Sequence, residues 1–178
     1  MTTFQERAAD GPVSRFLAGD HERLDALLRR AGAQPGAIDE TAYAEFRAGL
    51  LRHIGMEEKI LLPAAQEARG GEPLAAAAKL RSDHGALVAL MVPTPTSAIV
   101  AALRTILASH NAIEEGPGGV YEVCERLAGA DAPALLAKLR AAPEVPVHPH
   151  MGGPKIIEVT RRALARAGYE ALASTLGG

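Results

Sequence analysis

Between Phe46 and Pro63 the chain reads FRAGLLRHIGMEEKILLP, and this stretch limits the fold more than any other. At helical period Phe46, Leu50, His53, Glu57 and Ile60/Leu61 fall on one stripe. An apolar stripe of this kind faces a core. Moving an ionised carboxylate into a core costs several kcal/mol unless something compensates the charge. Glu57 therefore needs a partner, and His53, four residues earlier, is its neighbour on the helix surface. Glu58 follows directly and points elsewhere, so one acid of the pair can turn inward while the other stays in water.

The pattern returns in IVAALRTILASHNAIEE, from Ile99 to Glu115, where Ile99, Leu103, Leu107, His110 and Glu114 form a second stripe and Glu115 repeats the trailing acid. A single histidine–glutamate pair is a weak signal. Two pairs, both on apolar stripes and both ending in Glu-Glu, point to a bound cation that balances the buried acids.

The surrounding composition suits helices. Apolar residues make up 48% of the 178, but they are largely alanine and leucine, and aromatics are only 3%, so the chain reads as all-α. A net charge of −2 without a basic cluster gives no support to nucleic-acid binding. No apolar run is long enough to span a bilayer. The start, MTTFQERAADGP, lacks a cationic segment followed by an apolar one, and the single Cys124 has no internal disulfide partner. The expectation is a soluble, cytoplasmic protein.

After a polar start expected to fray, Pro12 and Ser14 open a first helix running to about Ala31, with Leu17, His21, Leu24 and Leu28 on its apolar face. Asp39 or Thr41 caps the second helix, and Pro63 should kink it or end its regular part. The third helix runs from near Pro73 to about Met91, with Leu80, His84, Leu87/Val88 and Met91 on its stripe. Ser97 caps the fourth, which ends near Glu115 at GPGG. Four helices joined by loops of modest length favour an up-down antiparallel four-helix bundle over residues 1–116. Residues 117–178 read as a helical extension packed on it: short helices over 120–127 and 131–140, an irregular proline-rich stretch, and a last helix over 155–167 stopped by Gly168.

One histidine per bundle helix (His21, His53, His84 and His110) and two glutamates, Glu57 and Glu114, are thus expected inside the bundle at similar depth. Four imidazoles and two carboxylates suit a pair of first-row transition metals, with carboxylates able to bridge the ions. The near-absence of sulfur argues against an iron–sulfur cluster.

His21 in GDHERL, His53 and Glu57 in HIGMEEKILLP, His84 in SDHGAL, and His110 and Glu114 in HNAIEE together resemble the hemerythrin-like, or HHE cation-binding, domain, over roughly residues 12–115. The resemblance implies a non-haem di-iron centre with an oxo or hydroxo bridge, the four histidines as terminal ligands and Glu57 and Glu114 as bridges. The donor types also admit zinc or manganese. It further implies binding or sensing of dioxygen or nitric oxide, or iron handling in a stress response. The alternative is an enzyme that turns over peroxide or reduces nitric oxide. The partner would be a small diatomic ligand or peroxide.

The third helix offers one histidine where oxygen-carrying hemerythrins have two a turn apart, which leaves a ligand position for Glu58, Glu115, water or the tail. Within the tail, His148 and His150 flank a proline and could point to one side together. Asp20 and Asp83 each precede a motif histidine and could orient a ligand through its second nitrogen. Tyr43 and Tyr121 could lie near the metals, but their helical spacing fits ordinary packing, and Cys124 reads as a small core residue.

Overall fold

The computed structural model describes residues 11–176, so the polar start expected to fray lies outside the described residues. Helix α1, Pro12–Ala31, begins on a proline, at the position where a missing N–H leaves nothing unpaired. Helix α2, Glu40–Met56, is capped by Asp39, whose side chain accepts from the Ala42 N–H at 3.0 Å. It continues through a π-helical turn, Glu57–Leu61, into α3, Leu62–Ala68.

The π-turn is how the chain accommodates Pro63. A proline ring collides with the carbonyl four residues back and has no N–H to offer. Here the Leu62 N–H reaches the Glu57 carbonyl, five residues back, and the helix widens for one turn instead of kinking or stopping.

Helix α4, Ala77–Leu90, starts later than the sequence suggests because EPLAAAA supplies no side-chain cap. Helix α5, Ser97–Glu115, is capped by Thr96 and not by Ser97: Thr96 has the extended backbone a cap needs, and its Oγ1 accepts from the Ile99 N–H at 3.2 Å. Then come α6, Val120–Ala128, a 3-10 turn at Gly129–Asp131, and α7, Ala132–Arg140. An extended strap over 141–153 leads to α8, Pro154–Arg166, which Gly168 terminates with φ at 89°. A short α9, Glu170–Thr175, follows; six residues give too brief a periodic signal to be read from sequence. The described residues contain no strand, only an isolated bridge between Pro93 and Met151. No helix among them is long and apolar enough to cross a membrane.

Helix α1 packs along α2 and α5, and α4 packs on α5; α6 and α7 lie against α1, and α8 against α4. The apolar side chains form two separate clusters. One gathers Leu24, Leu28, Phe46, Leu50, Leu87, Leu103 and Ile106, closed by Leu164 and Leu176 from the C-terminal helices. The other gathers Val13, Leu17, Met56, Leu61 and Leu80 with Val120, Cys124 and Leu139. On the expected stripes, Ile106 takes the buried place given to Leu107, which is half-buried, and Val88 is exposed while Leu87 is buried.

Candidate metal centre

Three histidine-bearing helices pass from one apolar cluster to the other at their histidine: His21 stands between Leu17 and Leu24, His53 between Leu50 and Met56, and His84 between Leu80 and Leu87. On α5, His110 follows Ile106 of the first cluster, and Ile113 packs against the second. The polar layer is therefore sealed from both ends. All six residues named from the sequence (His21, His53, Glu57, His84, His110 and Glu114) are buried there and come together. Two groups, Glu57–His84–His110–Glu114 and His21–His53–Glu57, each have ligand-type atoms within 4.8 Å of one another and can hold a metal ion.

Each glutamate serves both histidine pairs. Glu57 turns Oε1 to His53 Nε2 at 3.2 Å and Oε2 to His84 Nε2 at 3.1 Å. Glu114 turns Oε2 to His21 Nε2 at 3.4 Å and Oε1 to His110 Nε2 at 3.2 Å. One carboxylate oxygen thus faces each side of the centre from each acid. Glu57 Oε2, His84 Nε2 and Glu114 Oε1 are buried without a hydrogen-bond partner among the described residues. Unpaired polar atoms converging in a buried place are costly, and a cation between them removes the cost.

Every imidazole is held from behind at Nδ1 by a carboxylate. His53 donates to Asp20 at 2.8 Å, His84 to Glu58 at 2.8 Å, His110 to Asp83 at 3.3 Å, and His21 to Glu115. In the neutral ring this leaves the proton on Nδ1 and turns the Nε2 lone pair to the centre, which is the tautomer a metal ligand needs. Asp20 and Asp83 do not serve their chain neighbours. Asp20 on α1 holds His53 on α2, and Asp83 on α4 holds His110 on α5. The trailing acids cross the other way, Glu58 to α4 and Glu115 to α1. The carboxylates are fixed in turn. Arg23 donates to Asp20 at 2.8 Å. Lys79 and Tyr169 donate to Asp83 at 2.5 and 2.8 Å. Two half-chains, each with Asp-His and then His-x-x-x-Glu-Glu, therefore build two similar halves of one centre.

Without a cation, the buried acids draw positive charge onto the imidazoles beside them. Burial opposes a charge on His53, yet the Glu57 carboxylate and the Asp20 hydrogen bond outweigh it and hold the imidazole up at about 10. His110 stands at about 9 for the same balance, with Asp83 and Glu114 as its partners. Against its own burial, Glu57 is held well below the usual carboxylate range by His53 and His84. Burial and the Glu57 charge push Glu114 up. Two buried acids this close do not both ionise unless positive charge stands between them.

Of the two tyrosines that could lie near the metals, Tyr121 on α6 does reach the cluster, although its helical spacing fits ordinary packing and the sequence pattern leaves it out of the ligand set. Its hydroxyl donates to Glu57 Oε1 at 2.6 Å and lies 3.0 Å from His21 Nε2 and 3.2 Å from His53 Nε2. The available signal was GPGG, which ends α5 and turns the chain back so that a polar ring on the buried stripe Val120, Tyr121, Cys124 returns to the bundle. Cys124 is buried, and burial with the nearby glutamate charges pushes its thiol up to about 12, so it remains a neutral packing residue.

His148 and His150 do not complete the site. They are exposed on the strap over α2, where Arg47 donates to the His148 carbonyl at 3.0 Å and Tyr43 stacks on His150 with ring centroids 6.0 Å apart. The strap runs across the outside of α2, so neither histidine faces the interior, and Tyr43 packs on Phe46 away from the ligand groups. A cavity of about 510 Å³ reaches the centre from outside between α1, α5 and α6, bordered by Ala18, Asn111, Glu114 and Tyr121.

Comparison with curated proteins and with solved structures gives no match. The family model of the hemerythrin HHE cation binding domain matches residues 13–117, well over half of the chain and every one of the six converging residues. The chain belongs to the hemerythrin HHE cation-binding domain family.

Proposed function

We propose that this protein carries a dinuclear non-haem metal centre, with iron as its favoured occupant, and uses it to bind or sense dioxygen or nitric oxide or to handle iron under stress. The observation that carries the reading is the pair of buried glutamates, each with one oxygen turned to either histidine pair. His21 and His53 would hold one ion and His84 and His110 the other, with Glu57 and Glu114 shared between them. In this reading residues 1–116 form the ligand-bearing bundle and residues 117–178 an extension that lends it Tyr121. When bound, iron in such a donor set supplies exchangeable coordination positions and ferrous and ferric states.

The remaining work falls to the chain itself. The four Nδ1 carboxylates fix ring orientation and keep each Nε2 lone pair inward. The apolar clusters exclude bulk water from either end, and the cavity beside Glu114 and Tyr121 supports entry of a small ligand.

A second reading, turnover of peroxide or reduction of nitric oxide, draws support from one arrangement. Half-exposed Lys79 and Tyr169 both donate to buried Asp83, which accepts from His110, so a hydrogen-bonded file runs from the surface to a ligand. Reduction of nitric oxide consumes protons, and turnover of peroxide has to move them between oxygens.

Elemental analysis and the visible spectrum of aerobically purified protein test the first reading: two iron ions per chain are expected, and protein free of metal refutes it. Sustained oxygen release on adding hydrogen peroxide selects the second reading over simple binding.

A further inference from the structure

The two halves of the centre match in their histidines, shared glutamates and backing carboxylates, but Tyr121 breaks the match. Its oxygen lies 2.6 Å from Glu57 Oε1, 3.0 Å from His21 Nε2, 3.2 Å from His53 Nε2 and 3.3 Å from Glu114 Oε2. No hydrogen-bond partner stands in the corresponding place at His84 Nε2 among the described residues.

A phenol has one hydrogen to give. Three of the four atoms around it are acceptors: Glu57 Oε1, Glu114 Oε2 and the Nε2 of His21, whose Nδ1 faces Glu115. One contact is satisfied as a hydrogen bond, that to Glu57. Glu114 Oε2 and His21 Nε2 bring lone pairs against a lone-pair-bearing oxygen in a buried place, which is repulsive unless positive charge lies among them. The separations fit such a charge. Donors roughly 2.0–2.2 Å from a common ion and at right angles to one another stand about 3 Å apart, and the four measured distances bracket that value.

The local sequence is built to deliver this oxygen. Glu114 and Tyr121 are joined by Glu115, GPGG and Val120, and the turn is so tight that a side chain at Gly116 or Gly119 would collide with backbone. A Cβ on Gly119 would lie 2.6 Å from the Glu114 carbonyl oxygen, and one on Gly116 would lie 2.6 Å from that of Ala112. Only glycine lets α6 begin close enough to return Tyr121 to the acid it follows.

We infer that Tyr121 is itself a metal ligand, binding as a phenolate the cation held by His21 and His53. This rests on the dinuclear reading above and makes the two ions chemically unlike. Coordination breaks only the phenolic O–H bond: its electron pair becomes the donor pair to the cation, and the proton leaves to solvent through the adjoining cavity. A further anionic donor on one ion favours its ferric over its ferrous state.

The test uses the full chain, stripped of metal and titrated separately with zinc and with ferric iron, with bound metal measured independently of the spectra. Wild type should gain the near-ultraviolet difference band of one ionised tyrosine per chain at neutral pH on binding zinc. With ferric iron it should gain a visible phenolate-to-iron charge-transfer band. Tyr121→Phe should bind metal and lack both bands, and Tyr43→Phe should keep both. Bound metal without a tyrosinate band in wild type overturns the inference alone, as does a band that survives in Tyr121→Phe. No bound metal in wild type overturns the dinuclear reading and this inference with it. The zinc titration of wild type does not depend on whether a variant folds; circular dichroism of Tyr121→Phe checks that separately.

Discussion

Asp83 is fully buried and accepts from three donors at once: His110 Nδ1–H at 3.3 Å, the Tyr169 hydroxyl at 2.8 Å and Lys79 at 2.5 Å. Asp83→Asn keeps the shape but offers one oxygen and one NH2 group. If the oxygen stays with Lys79 and Tyr169, the NH2 group confronts His110 Nδ1–H. The imidazole must then move its proton to Nε2 and lose the lone pair that faces the centre. Loss of such a backing partner lowers metal affinity by roughly 10–100-fold, or about 1.4–2.7 kcal/mol. The 3.3 Å separation is at the long end for a hydrogen bond, which puts the expected loss near the tenfold end. Tyr169→Phe leaves the His110–Asp83 bond in place and removes one of two outer donors, so its loss should be smaller. Competition against a chelator of known affinity, read as metal retained per chain, measures both. Undiminished affinity in Asp83→Asn, or a loss in Tyr169→Phe as large, refutes the reasoning.

Further outcomes follow from the same geometry. Glu57→Gln and Glu114→Gln should each lower bound metal below two ions per chain by elemental analysis, because each acid faces both histidine pairs; a variant that retains two ions would count against sharing. Removing the metal should lower the melting temperature, since free metal at a hundred times its dissociation constant contributes about 2.7 kcal/mol to the folded state; identical melts with and without chelator would contradict this. The metal-free protein should also lose stability as pH rises. His53 is held at about 10 against a usual 6.5, so its contribution is complete below 6.5 and is lost as pH climbs through about 10. Melts of metal-free protein across that window should fall, and a flat profile would refute the assignment. Replacing His148 and His150 together by alanine should leave metal content and spectrum unchanged, because both lie on the strap by Arg47 and Tyr43.

Helical period made the all-α fold and the gathering of six side chains legible, because stripes such as Phe46–Leu50–His53–Glu57 leave little choice about which face turns inward. Other features depend on contacts that period does not encode. Asp20 adjoins His21 in the chain, yet it serves His53, because neighbours in a helix point about 100° apart. Pro63 announces a disturbance, but whether a helix kinks, ends or widens is decided by what packs around it, and here Leu61 and Leu62 are both buried where the wider turn ends. Tyr121 could not be told apart from Tyr43 by sequence, because nothing in its own helix distinguishes a packing ring from one whose hydroxyl meets four polar atoms from other elements. The half-buried place of Leu107 beside buried Ile106 is a rotation of less than one residue step, below what a stripe resolves.

The crossing of the backing acids has a consequence for how the protein is made. Aspartates tie histidines within each half of the chain, while Glu58 and Glu115 tie them between halves. During synthesis the first two helices would emerge with both histidines of one pair but without Glu115, Glu114 or Tyr121 to finish their surroundings. Any cation held by that pair would therefore meet its full set of surrounding groups only after the GPGG turn has left the ribosome.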